Sequence, residues 1–131
     1  MIKGAIFDVD GTLLDTMPIW TNSGANYLAS LGIEAEEGLG NKLFAMTVDM
    51  GAVYLKETYG LTQSCREIAK GINGIVEGHY FADAGFKPGA RELLERMKAA
   101  EIPMAIATST EKYCIEAAFE RLGYKDYFDI I

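Results

Sequence analysis

The spacing of apolar positions along the chain changes several times, and each change marks an element. Ile2, Ala5, Ile6 and Phe7 form a short apolar run ahead of Asp8 and Gly11. A run this short, closed by a glycine, predicts a buried strand of a parallel sheet rather than a helix. Ile102 to Thr108 has the same character, and Pro103 costs little so near its start. A third strand is predicted to begin at Phe128-Asp129-Ile130-Ile131. Between these runs the helical period takes over. Pro18 to Leu31 reads as a helix stopped by Gly32, and Val48 to Tyr59 as a second helix stopped by Gly60. Ser64 to Phe81 is a third, carrying Ile68, Ile72, Ile75 and Val76 on one stripe, with His79 following as a packed or boundary residue. Pro88 suits the first position of a helix whose apolar face is Leu93, Leu94 and Met97. Ile115, Ala118, Phe119 and Leu122 form the face of another, capped by Thr110 and closed by Gly123.

The order strand, long helical block, helix, strand, helix, strand predicts an α/β fold with a doubly wound, Rossmann-like parallel sheet. The interval from Thr16 to Ala84 is too long for one crossover helix and predicts an inserted helical domain. Asp15-Thr16-Met17-Pro18 is the outgoing linker. Gly85 and Lys87-Pro88-Gly89 form the return. Composition agrees with a globular domain: 131 residues, half of them apolar, with 12 basic and 19 acidic side chains giving a net charge of −7. No apolar run reaches the roughly 18 residues of a membrane span. The opening Met1-Ile2-Lys3-Gly4 lacks the apolar stretch of a secretory signal. Net negative charge without a Lys/Arg cluster argues against a nucleic-acid surface. Cys65 and Cys114 match no disulfide or zinc spacing and read as free thiols of a cytoplasmic protein.

The strongest chemical signal is Asp8-Val9-Asp10-Gly11-Thr12-Leu13-Leu14-Asp15-Thr16. It sets two carboxylates two residues apart at the carboxyl end of a strand, where open α/β sheets bind ligands. Residues i and i+2 of a strand point to one side, so Asp8 and Asp10 are expected to face one site. Their repulsion would be relieved by a hard divalent cation such as Mg²⁺. Taken alone, the pair equally suits a capping or turn role after the strand. Thr16 likewise reads equally as a helix N-cap or as a partner of the aspartates.

The complete string, with Phe7 before it, resembles the first motif of the haloacid dehalogenase superfamily, in its phosphatase and phosphomutase branch. Ala105-Ile106-Ala107-Thr108-Ser109 resembles the second motif, an apolar strand ending in Thr or Ser. The helical insert is similar to the family's cap, giving a core of 1–15 and 86–131 and a cap of 16–85. The resemblance implies a phosphoryl transfer in which Asp8 is the nucleophile and Asp10 the general acid and base. It implies Mg²⁺ held by Asp8 and the backbone carbonyl of Asp10. Thr108 and the N–H of Ser109 would bind the phosphoryl oxygens, and Thr16 would orient Asp10.

The cap is expected to choose a small phosphorylated metabolite. Trp20, close to the motif, stands where β-phosphoglucomutases carry a His. Val48 aligns with their cap arginine. Loss of that arginine, which suits a second phosphate, favours a phosphatase over a sugar phosphomutase. Trp20 is the residue singled out for gating or substrate contact. Trp20, Tyr27 and the Met46–Met50 region otherwise read as packing of a small helical domain. The family's downstream lysine and final acidic metal ligands have no counterpart before Ile131. The expectation is therefore a partial core lacking its C-terminal strands, with bare apolar faces and an open edge on the Ile2–Phe7 strand. Such a chain would show little turnover alone. It would pair with a complementing chain or self-associate through that edge.

Overall fold

The computed structural model describes residues 1–131. The chain divides into two compact units, Met1–Met17 with His79–Ile131, and Pro18–Gly78. These limits fall inside helices at both crossings, a few residues from the linkers read in the sequence.

The first unit holds the sheet. Strand β1 (Ala5–Phe7) pairs in parallel with β2 (Met104–Ile106), Ala5 opposite Met104 and Phe7 opposite Ile106. Both strands are shorter than their apolar runs. The third predicted strand is a single parallel bridge, Ala105 to Ile130, carried by the Ile106 N–H on the Ile130 carbonyl at 2.9 Å. Lys125–Tyr127 forms a 3₁₀ turn just before it, which leaves only the last residues extended. Ile6 is 76% exposed, so β1 is not buried as its apolar run alone suggests, and it has the bare apolar face expected of a partial core. β1 has one neighbour, β2. Ile6, Met104, Ala105 and Ile130 line a shallow groove on the sheet.

Two helices complete this unit, together with the last residues of a helix that begins in the other. Helix α5 (Ala90–Ala99) buries Ala90, Leu94 and Met97. Pro88 does not open it. Gly89 occupies the N-cap with φ 82°, so Pro88 belongs to the preceding turn. Helix α6 (Lys112–Leu122) buries Cys114, Ile115, Ala118 and Phe119 and ends at Gly123. The Phe119 ring meets Phe128 edge-on at 5.0 Å and Phe86 at 6.1 Å, knitting α6 to the return segment and the chain end.

The second unit is helical. It comprises α1 (Met17–Ser30), α2 (Leu39–Phe44), α3 (Val48–Tyr59) and most of α4 (Cys65–Ala82). α1, α3 and α4 fall within two residues of their predicted spans. α2 has no counterpart among the helices read from apolar spacing. A reciprocal pair starts α4: the Glu67 N–H donates to Ser64 Oγ, and the Ser64 N–H to Glu67 Oε2, both at 3.1 Å. Tyr27, Leu28, Leu39, Ala52, Leu55, Ile68 and Ile72 form its core. Each fully buried Leu or Ile stabilises it by about 1.5–3 kcal/mol. Ile75 lies at the edge of this core and Val76 is buried.

Gly71 on α4 is where this core tolerates no side chain. A Cβ there would overlap the Tyr27 ring, whereas one at Gly74, one turn along, meets nothing within 4 Å. Gly71→Ala should therefore lose about 1–3 kcal/mol through overpacking. Gly74→Ala should gain up to about 1 kcal/mol from helix propensity. Urea unfolding of the two variants checks the opposite signs.

A small polar network pins the segment before α2. The Tyr54 hydroxyl donates to Glu36 Oε1 at 2.6 Å, Lys42 Nζ lies 3.3 Å from Glu36 Oε2, and the Glu36 N–H donates to the Tyr59 hydroxyl at 2.8 Å. The Tyr54 hydroxyl first, with Lys42, holds the Glu36 carboxyl below its usual range against a smaller desolvation effect. A carboxyl depressed by folding stabilises above its unfolded value, and that stabilisation is lost as pH falls through the folded one. Wild type should thus melt above Glu36→Gln at neutral pH. The two Tm values should converge as the pH drops below the ordinary carboxylate range.

Candidate active site

Asp8 to Asp15 leave the carboxyl end of β1 as a tight loop around one acceptor. The Val9 carbonyl accepts the N–H groups of Thr12, Leu13 and Leu14, each at 3.0 Å. Gly11 makes the turn in the left-handed region at φ 76°. Val9, Leu13 and Leu14 are buried beneath it. The loop then runs beside the return segment: the Lys87 N–H donates to the Leu13 carbonyl and the Asp15 N–H to the Gly85 carbonyl, both at 2.8 Å. The Ala107 N–H donates to the Phe7 carbonyl at 2.9 Å, so the loop after β2 leaves the sheet beside the loop after β1. Asp8 and Thr108 therefore emerge from adjacent parallel strands at one end of the sheet, as the strand register requires.

The two aspartates occupy different surroundings. Asp8 is exposed, and its Oδ2 accepts the Thr12 hydroxyl at 3.2 Å. Asp10 is half-buried and bound by three hydroxyls. Thr16 donates to Oδ1 at 2.6 Å, Tyr80 donates to the same oxygen, and Thr110 donates to Oδ2 at 2.6 Å. Thr16 and Tyr80 are themselves fully buried. Asp8 thus has one hydroxyl contact and Asp10 three. The hydroxyl donors satisfy most of the acceptor positions of the Asp10 carboxylate.

Thr108 and Ser109 lie in the loop after β2. The Thr110 N–H donates to Thr108 Oγ1 at 3.1 Å, which leaves the Thr108 hydroxyl proton available, and Ser109 is exposed. Thr110 was expected to cap α6. It does not: Glu111 is the N-cap residue, and the Thr110 hydroxyl turns to Asp10. Trp20 belongs to the helical unit. There, with Thr21, Leu43, Phe44, Met46 and Val48 among others, it lines a cavity of about 200 Å³. Tyr27 instead joins the core. His79 pairs through Nδ1 with Asp83 at 2.8 Å, a boundary role as expected. Neither Cys65 nor Cys114 forms a disulfide.

Tyr80 and Thr110 are the residues that sequence reasoning missed. Tyr80 continues the stripe Ile68, Ile72, Val76 by one further i+4 step, so its burial was legible, but its hydroxyl partner 70 residues away was not. The donors on offer suit Mg²⁺ in part. Asp8 supplies a hard, exposed carboxylate oxygen and Asp10 a main-chain carbonyl, and this ion commonly keeps several waters and uses one or two carboxylates plus substrate phosphate. No group of three or more His, Cys, Asp or Glu side chains gathers into a metal cluster. No helix is long and apolar enough to cross a membrane.

The chain matches the family Haloacid dehalogenase-like hydrolase over residues 5–131, and it belongs to that family. It is 28% identical over 130 residues to the phosphorylated carbohydrates phosphatase of Thermotoga maritima, covering 99% of this chain and 60% of that protein. Among solved structures, a Thermotoga maritima protein assigned as a beta-phosphoglucomutase superposes with TM-score 0.85 at 28% identity, over 98% of this chain and 60% of that one. YfnB of Bacillus subtilis, solved bound to magnesium, has TM-score 0.76 at 14% identity, over 99% and 64%, and shares the fold. The chain thus spans about 60% of the length of the relatives it matches.

The three hydroxyls on Asp10 make a stability prediction. Thr16→Val removes a buried donor to a carboxylate while keeping its shape, and should cost about 1–3 kcal/mol in urea unfolding. Thr16→Ser should retain most of that.

Proposed function

We propose that the intact protein is a Mg²⁺-dependent phosphatase acting on a small phosphorylated carbohydrate. The observation that carries this reading is the contrast between the aspartates: Asp8 is exposed with one hydroxyl contact, and Asp10 is oriented by three. An exposed carboxylate suits a nucleophile, and an oriented one suits proton transfer. An Asp8 oxygen bonds to phosphorus as the bond to the leaving oxygen breaks, and that oxygen takes the proton held by Asp10. Water then attacks the phosphorus of the aspartyl-phosphate and gives a proton to Asp10. The bond to Asp8 breaks, releasing inorganic phosphate. The Thr108 hydroxyl and the Ser109 N–H are assigned to the phosphoryl oxygens, as fixed donors.

Mg²⁺ would be held by the Asp8 carboxylate and the Asp10 carbonyl, where it neutralises phosphoryl charge. The helical unit Pro18–Gly78 is assigned the role of the substrate-selecting cap, and Trp20, in the wall of its cavity, that of a substrate contact. The carbohydrate class is supported by the name of the Thermotoga maritima relative.

In the intact protein, Asp8→Asn should reduce phosphate release from a sugar phosphate to background, and chelation of Mg²⁺ should do the same. Release unchanged by Asp8→Asn rules out the nucleophile. Incubation with a sugar 1-phosphate should give free phosphate and sugar. Accumulation of an isomerised sugar phosphate would instead assign the protein as a phosphomutase.

A further inference from the structure

Asp10 is gripped from three places in the sequence: Thr16 six residues on, Tyr80 at 70 and Thr110 at 100. A carboxylate offers about four lone-pair positions, two on each oxygen. Thr16 and Tyr80 both donate to Oδ1, and Thr110 takes one position on Oδ2. One position remains, on Oδ2. Tyr80 is fully buried, and its backbone is anchored independently of Asp10. Arg121 Nη2 on α6 donates to the Tyr80 carbonyl at 3.2 Å and to the Ala84 carbonyl at 2.6 Å, where α4 ends. The Tyr80 carbonyl lies in the last turn of α4, where carbonyls lack intrahelical partners, and the same guanidinium holds the Ala84 carbonyl just beyond the helix. The phenol is thus held by packing and by a charged clamp, and is aimed at one carboxylate oxygen.

We propose that Tyr80 is a positioning residue for proton transfer by Asp10: its hydroxyl, with that of Thr16, fills Oδ1 and so confines the transferable proton to Oδ2. The inference rests on the reading of Asp10 as general acid and base. Without the phenol, Oδ1 regains an open position beside α4. The proton then divides between an oxygen that faces the leaving group and one that does not.

The test compares an alkyl and an aryl substrate, a hexose 6-phosphate and 4-nitrophenyl phosphate, by kcat/KM, which covers the steps up to departure of the leaving oxygen. An alkoxide needs a proton to leave and a nitrophenolate does not. Tyr80→Phe, which keeps the ring, should lower kcat/KM on the hexose phosphate about tenfold and change it less than about twofold on the aryl substrate. Tyr124→Phe, which removes a hydroxyl bonded to Glu95, should change neither. In the 131-residue chain, free of any dependence on turnover, the Asp10 carboxyl carbon is assigned by its loss in Asp10→Asn. Its ¹³C resonance should shift in Tyr80→Phe while the other aspartate resonances stay. An unmoved Asp10 resonance, or equal losses on both substrates, overturns the proposal. Asp10→Ala separates the two readings. If it lacks the leaving-group selectivity, the acid and base assignment fails; if it shows the selectivity and Tyr80→Phe does not, only the role of Tyr80 fails.

Discussion

The site is organised by one half-buried carboxylate that must be satisfied. Asp10 sits where the chain turns out of the sheet, above the buried side chains of Val9, Leu13 and Leu14. A carboxylate there is costly unless it is hydrogen-bonded. The fold meets that cost with hydroxyls from the outgoing segment, from the end of α4 and from the loop before α6. Each hydroxyl fixes one of those segments relative to β1. The interaction that makes Asp10 tolerable is therefore the one that assembles the first unit around the carboxyl end of the sheet.

Local pattern made much of this legible. The helices α1, α3 and α4 follow from apolar spacing with glycine stops, and the parallel pairing of β1 and β2 follows from two short apolar runs separated by helices. The motif from Phe7 to Thr16 marked the loop that leaves the carboxyl end of β1, and the Thr16 contact to Asp10 was one of the two readings open to that residue. Pattern failed where partners are distant or neighbours are missing. A threonine before a helix reads as a cap because capping is local, yet the Thr110 hydroxyl finds a carboxylate 100 residues away. An apolar run alone reads as a buried strand because pattern assumes a layer on each face, yet Ile6 is exposed, in keeping with the bare face expected of a partial core.

The aspartate pair illustrates how a correct motif leaves electrostatics open. Spacing suggested two like charges held together by a cation. The structure separates them by environment, leaving Asp8 exposed with a single hydroxyl contact and binding Asp10 with three. Two chemically identical side chains thereby stand in different environments, which is what the proposed roles of nucleophile and general acid require. The difference comes from hydroxyls that no pairwise reading of the motif contains.

Helix α4 carries the last step of this argument. Its buried row runs Ile68, Ile72, Val76 and Tyr80, four residues apart, so all four lie along one ridge of the helix. The first two members belong to the core of the helical unit, whereas Tyr80 belongs to the unit that holds Asp10. A purely apolar fourth member would have served packing equally well. A tyrosine adds a hydroxyl at the end of the row, and Arg121 fixes the carbonyls from which it projects. The periodicity that builds a core thus also sets the reach and direction of a polar group. At Tyr80 one side chain both packs in the core of its unit and supplies one of the three hydroxyls that hold Asp10.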